Sequence, residues 1–387
     1  MRNIIREYLR VKYIRMIICF LIILLSLLVN TKEVKANSNY SGDIDYSDIQ
    51  GVIDDIMSYG NEFDFGHYVE RLINGEVKFS LTDIGLSLIE SIKGEIKANL
   101  GVFGRLISIA LVAALFSNLS MALKNSQVSE TGYYITYLLL FGVIVSTFIA
   151  ASEVAVNTIY SILEFMRVLA PAYFLSVGFS TGTTTSLVYY EGALMAITVA
   201  DAIILKVVVP FINFYLIVTL ANNLTKEDML SKLVDLFENI IGWVLKGVLA
   251  AVVSLGAIQG LIVPVADRVK RSSLLKASAA IPGVGDAIGG VAETILAAGM
   301  LLKNAIGVTG IVVIITICAA PLIKLLMIMI IYKIGCAALQ PISDKRMVEC
   351  LSASAKAAQM LLHAVFIGAV LFILSITIVA VTTGSAQ

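Results

Sequence analysis

The side chains best placed to do chemistry are ionisable groups embedded in apolar sequence. Glu164 and Arg167 lie within Val154–Gly178, Asp201 and Lys206 within Leu187–Asn222, and Lys324 within Ala305–Ile331. A charge in a lipid-facing helix is costly unless it is paired, hydrated or turned into a bundle, so such residues mark either a polar path or a packing contact. Glu164 and Arg167 are three apart and share a helical face, the spacing of an ion pair that fixes helix register. Asp201 and Lys206 are five apart and do not share a face, which leaves a path and a packing role equally open. Lys324 follows Pro321 by about one turn and is placed to meet carbonyls that the proline frees. His363, in the last apolar stretch, reads as a hydrogen-bonded packing residue.

Catalytic constellations are missing from the usual places. The chain has two histidines, His67 and His363, far apart in sequence. No pair of histidines at helical zinc spacing flanks a glutamate, and no glycine-rich stretch ends in Gly-Lys-Ser/Thr. Gly283-Val284-Gly285 resembles part of a dinucleotide loop, but the next glycine, Gly289, comes one residue late. The expectation is a protein that is not an enzyme and that carries no cofactor and no metal. A formal net charge of zero provides no basic face for nucleic acid.

The elements that must position these charges are membrane helices. Hydrophobic residues make up 58% of the chain and charged residues 14%, against about 25% charged in soluble domains. Leu106–Leu123, Tyr133–Ser152, Ile203–Asn222, Val248–Ala266, Ala305–Ile331 and Ala358–Val381 are each close to the roughly 20 apolar residues that cross a bilayer. Val154–Gly178 reads as a further span, with an interfacial helix ending near Pro171 as the alternative, and Pro210 is expected to kink the long stretch before Asn222. The fold class is therefore an all-α polytopic membrane bundle, with about six to eight spans in residues 105–387.

Residues 1–36 read as a secretory signal, with a basic start, the apolar core Met16–Val29 and small residues at Val34-Lys35-Ala36. Residues 37–104 form an acidic segment, expected to be extracytoplasmic and helical, in which Ser80 and Asp83 open the clearest helix. Thr225–Ile240 is amphipathic and reads as an interfacial helix. Arg268, Lys270, Arg271 and Lys276 make the strongest basic loop, and Lys345, Arg346 and Lys356 a second. Both are expected in the cytoplasm. That placement needs two crossings, or a re-entrant element, between Ile281 and Ile331. Gly178/Gly182, Gly256/Gly260 and Gly285/Gly289 are small-residue pairs that let helices approach closely.

The segment Ile281-Pro282-Gly283-Val284-Gly285-Asp286, then Glu293-Thr294, Lys303-Asn304, Gly307, Gly310, Pro321, Lys324 and Gln340-Pro341-Ile342-Ser343-Asp344 with Arg346, resembles the C-terminal half of the stage III sporulation protein AE family. The order of parts is also similar. The resemblance implies a mother-cell membrane protein of endospore formers, with its N-terminal segment in the space facing the forespore. It implies partners as well: the other stage III sporulation A-operon proteins, a secretion-type ATPase and ring-forming proteins among them, and stage II sporulation protein Q. In that setting the chain would be the permease-like subunit of a channel or secretion-like complex, and the small-residue pairs leave open packing within one chain or a homo-oligomer of several. The helix-breaking Pro282 and Gly283 beside Asp286 suggest a re-entrant or broken helix over 281–300, since such backbone survives in a membrane only where protein or water covers it. The rival readings are a stand-alone secondary transporter and a purely structural scaffold.

Overall fold

The computed structural model describes residues 45–56, 63–75, 126–181, 183–224, 229–279, 285–341 and 343–384, with isolated positions between Lys97 and Ser108. The expected signal peptide lies outside them, as do most of the helix expected from Ser80 and most of the span Leu106–Leu123. Every regular element among the described residues is helical: α1 (Ser47–Ile56), α2 (Phe65–Ile73), α3 (Ser126–Thr181), α4 (Thr183–Ile203), a π-helical turn (Ile204–Val208), α5 (Val209–Leu224), α6 (Ser231–Ala279), α7 (Gly285–Leu339) and α8 (Lys345–Gly384).

The long helices are longer than the sequence pattern suggests. Tyr133–Ser152 and Val154–Gly178 are not two crossings but parts of one 56-residue helix, α3, which continues through Pro171. The join, Ala150-Ala151-Ser152-Glu153-Val154-Ala155, has no glycine or proline to turn the chain, and one glutamate does not stop a helix. In the same way 285–300 is continuous with Ala305–Ile331 in the 55-residue α7, which runs on through Pro321. The re-entrant element expected at 281–300 is therefore not found from Gly285 onward, and residues 280–284 lie outside the described part. The basic segment 268–276 is the end of α6 rather than a loop. It precedes the start of α7, whereas Lys345 and Arg346 follow its end. One helix of about 80 Å separates the two segments, so a single traverse of α7 cannot leave both in the cytoplasm, as expected from their charge.

Consecutive rods run antiparallel. Phe174 meets Tyr190 edge to face at 5.7 Å across the α3–α4 reversal. The Tyr133 hydroxyl, near the start of α3, donates to the Asn223 carbonyl at the end of α5 (2.9 Å). Near the other end of α3, Tyr173 donates to the Ile376 carbonyl of α8 (3.0 Å). α8 packs against every other long helix and forms the middle of the bundle. Where Pro210 was expected to kink the chain, the π-helical turn absorbs the disturbance: the Val209 N–H reaches back to the Ile204 carbonyl. The wider turn lies directly before the proline, which has no N–H and crowds the preceding turn.

The bundle has two apolar cores stacked end to end. The lower core joins Tyr137–Ile159 of α3 to Ala200–Leu220, Ile241–Val252, Leu325–Leu339 and Met347–Val365. The upper core joins Ile162–Val177 to Ile197, Ala305–Cys318 and Ala369–Val379. The two short helices belong to the upper core. Ile49, Ile53, Phe65 and Val69 are buried in it, while Asp48, Asp54, Asp55, Glu70 and Arg71 stay exposed. Gln50 ties α1 to α2, with its Nε2 donating to the Phe63 carbonyl (2.9 Å) and its Oε1 accepting from Phe65 N–H (2.9 Å). Asp64 caps α2 by accepting from His67 N–H (2.9 Å).

Candidate functional site

The charges singled out in the sequence fall near the waist between the two cores, but they do not share one cavity. Asp201 is 2% exposed. It sits on α4 between Ile197 of the upper core and Ile204 of the lower one, one turn before the π-helical segment. Its Oδ2 is buried without a hydrogen-bond partner. Arg167 of α3 lies within electrostatic reach of it. Arg167 and Glu164 themselves are exposed on the outer face of α3, and the structure holds no ion pair between them. Lys206 is exposed at the π-helical turn, and Lys324 is half-buried on α7. The polar pair closest to this level in the lower core is Ser152, which donates to Asn213 Oδ1 (3.3 Å). An uncompensated carboxylate in an apolar interior is expensive, so Asp201 is the position where the chain departs furthest from packing alone.

Two small cavities lie in the upper core above this level. One cavity of about 10 Å³ lies among Tyr173, Phe174, Leu194, Ile197 and Ile376, and another of about 20 Å³ lies beside Gly256 and Ile378. Each has room for no more than about one water molecule.

A second polar constellation closes the lower end, and most of the last family segment lies there. Gln340 and Pro341 form the turn after α7. Asp344 caps α8, accepting from Arg346 N–H (2.9 Å), and its carboxylate also takes Arg346 Nε and Nη2, both at 3.3 Å. The Arg346 guanidinium stacks 3.6 Å from the centre of the Tyr133 ring. Beside it, Tyr137 donates to the Leu220 carbonyl and accepts from Cys350 Sγ (3.3 Å). Asn222 Oδ1 accepts from Leu230 N–H (2.7 Å) and shapes the approach to α6. Two reversals of the chain, α5–α6 and α7–α8, and the first turns of α3 are thus held by one cluster, a fixing role rather than a catalytic one.

The other family positions are scattered. Lys303 is 1% exposed within the upper part of α7 and Asn304 beside it is exposed. Pro321 is half-buried in mid-helix. Gly285, Asp286 and Glu293 lie on the first turns of α7, and Pro282 and Gly283 fall outside the described residues. Among the described residues no cluster of His, Cys, Asp and Glu could hold a metal ion. Two features escape a reading by span. Glu153 looks like a boundary between spans, yet it heads an exposed line with Asn157, Glu164 and Arg167 along α3. Its four-three spacing to those residues was the available signal. Glu238 of α6 pairs with Lys356 of α8 between two half-buried side chains, a contact that no local pattern announces. Glu238→Gln is expected to lower stability in detergent by about 1–2 kcal/mol. Changing both residues, Glu238→Gln with Lys356→Met, should recover most of that loss, because an abandoned buried charge costs more than a missing pair.

Among the described residues five helices are long and apolar enough to cross a membrane, with apolar windows in Thr131–Ser180, Tyr190–Leu224, Ser231–Gly256, Ala297–Leu339 and Lys345–Val381. With α8 at the centre, they define a multi-pass α-helical membrane protein. The profile of the stage III sporulation protein AE family matches residues 63–383, and the chain belongs to that family. Stage III sporulation protein AE of Bacillus subtilis (strain 168) is 27% identical over 316 residues, covering 81% of this chain and 79% of that protein. No solved structure matches the chain significantly.

Proposed function

We propose that this protein is the permease-like membrane subunit of a complex joining mother cell and forespore, needed for late forespore development. Membership of the family supports a role in sporulation. The subunit role rests chiefly on Asp201, a buried carboxylate with an unpartnered oxygen beside a π-helical turn. π-Turns inside α-helices are often found at functional sites, and a carboxylate kept in an apolar protein interior is costly, so its retention points to a function. In this reading α1 and α2 face the space between the two membranes, where the operon partners and stage II sporulation protein Q would meet them. The signal peptide would place them there.

A scaffold is the second reading, and the small size of the two cavities in the upper core, about 10 and 20 Å³, favours it. A conduit would then have to form against partners or other copies. One experiment separates the two. In a deletion strain, wild-type, Asp201→Asn and Asp201→Leu chains are scored for membrane level, vegetative growth and a late forespore reporter. The permease reading expects normal growth, normal protein level and a reporter signal lowered about tenfold or more by both variants. Normal reporter output from both would leave the scaffold. A deletion with intact sporulation would remove the sporulation reading altogether.

A further inference from the structure

We infer that only the lower half of the bundle lies in lipid, that charges at the waist meet the phospholipid headgroups, and that the upper half stands in water. The length of the rods requires some such division. α3 and α7 are each about 80 Å long at ~1.5 Å per residue, whereas a hydrocarbon core is about 30 Å thick. Tilt of some tens of degrees does not absorb that difference.

The exposed charges fix where the boundary falls. The Arg346–Tyr133 cluster marks one level at the lower end. From there Glu153 lies about 30 Å along α3, Lys206 about 25 Å back from Asn223 along α5 and the π-helical turn, and Lys324 about 22 Å back from Leu339 along α7. Lys246 reaches a similar height: it lies about 12 Å beyond Glu238, whose partner Lys356 is about 15 Å above Arg346. Four rods thus carry a charge at one height, and that height is one bilayer core above the lower cluster. In the slab between, the exposed surface is apolar, as at Leu138, Ile149, Phe214, Ile217 and Ile334, which are 51–60% exposed. The charges inside it have local answers. Lys333 lies about 9 Å from the lower end of α7, within reach of the interface by its flexible stem. Glu238 and Lys356 neutralise each other, and Lys232 and Asp235 lie below them on α6.

Above the boundary charge joins an exposed surface that still carries apolar side chains, Leu175, Phe179, Leu187 and Met195 among them at 47–70% exposed. The outer face of α3 adds Glu164 and Arg167, α4 adds Glu191, and the charged helices α1 and α2 pack against α3 and α7. Helices that keep Asp48, Asp54, Asp55 and Glu70 exposed cannot lie within acyl chains. The ligand of the lower half is therefore the lipid itself, and the waist lysines and Glu153 occupy its headgroup layer. The inference does not depend on which compartment lies above, nor on the proposed role in sporulation.

The test uses the full chain in nanodiscs of phosphatidylethanolamine and phosphatidylglycerol, where both faces are open to a water-soluble maleimide and only lipid or protein protects a thiol. Leu175→Cys and Met195→Cys, in the upper half, should label within about threefold of the exposed control Lys345→Cys. Leu138→Cys, Phe214→Cys and Ile334→Cys should label at least about tenfold more slowly. Cys318 and Cys350 are buried and Cys336 is half-buried, and the fourth native cysteine, Cys19, is replaced by serine in every variant to keep the background low. Upper positions as slow as lower ones would overturn the inference. Wild-type chain gives a readout free of substitutions, because Trp243 is the sole tryptophan and is 69% exposed about one turn below Lys246. A spin label near the headgroup end of the acyl chain should quench it more strongly than one near the terminal methyl, and the reverse order would place the waist in mid-bilayer and refute the boundary.

Discussion

Gly299→Val is expected to destabilise the upper half of the bundle by about 3 kcal/mol, at the top of the range for overpacking. α7 lies so close to the end of α3 at this point that an added Cβ would stand 2.8 Å from Phe179 Cβ and 2.9 Å from the Phe179 carbonyl carbon and the Ser180 nitrogen. Two of these three atoms are backbone, so no rotamer change relieves the contact and one helix must move. A branched side chain worsens the clash and stiffens in a helix. Gly335→Ala is the matched control. Gly335 is buried on the same helix, yet an added Cβ meets nothing within 4 Å, so that change should be neutral or stabilise by up to about 1 kcal/mol. Denaturant titration in detergent, followed by the fluorescence of Trp243, measures both. Equal stability of the two variants would mean that the α3–α7 contact is looser than described.

The second large effect is expected at Arg346. Its guanidinium holds Asp344 by two nitrogens and covers the Tyr133 ring, tying the α7–α8 turn to the start of α3. Arg346→Ala removes a charge pair, a cation–π contact and the packing of the side-chain stem, together about 2–3 kcal/mol. Arg346→Lys should recover less than half of that, since an ammonium cannot take Asp344 with two coplanar nitrogens while lying flat on an aromatic ring. Thermal unfolding of the two variants beside wild type tests this, and full rescue by lysine would reduce the site to simple charge. The loss should depend little on added salt, because the Arg346 side chain is only 17% exposed.

These positions show how unevenly the fold is written along the chain. Arg346 and Asp344 could be found as a motif, because capping and pairing act over two residues. Gly299 could not. It is one of 28 glycines, and the nearest small-residue pair noted in the sequence is Gly285/Gly289. Close approach depends on which helix arrives opposite, and here that is the end of α3, more than a hundred residues earlier. Gly256, from another of the pairs, does mark a close approach: an added Cβ would stand 2.6 Å from Ile378 Cδ1. The acid–base pair Glu164–Arg167 was read from helical spacing alone. The structure instead turns both outward and sets Arg167 near Asp201, because α4 folds back against α3.

The all-α class, the membrane character and the family were determined by the sequence itself. Each rests on local or additive properties: long apolar runs, the scarcity of charge, and a motif repeated residue by residue. The number and extent of the rods were decided only in three dimensions. Apolar windows of about 20 residues say that a helix can cross a bilayer, but they do not say where it stops. The boundary expected between Ser152 and Val154 therefore falls in the middle of α3. The same is true of the charges. Glu153, Lys206, Lys246 and Lys324 are scattered along the sequence, whereas their common height, at or near the surface, exists only once four rods lie side by side. Burial and height depend on contacts between distant segments, and hydropathy along one segment does not contain them.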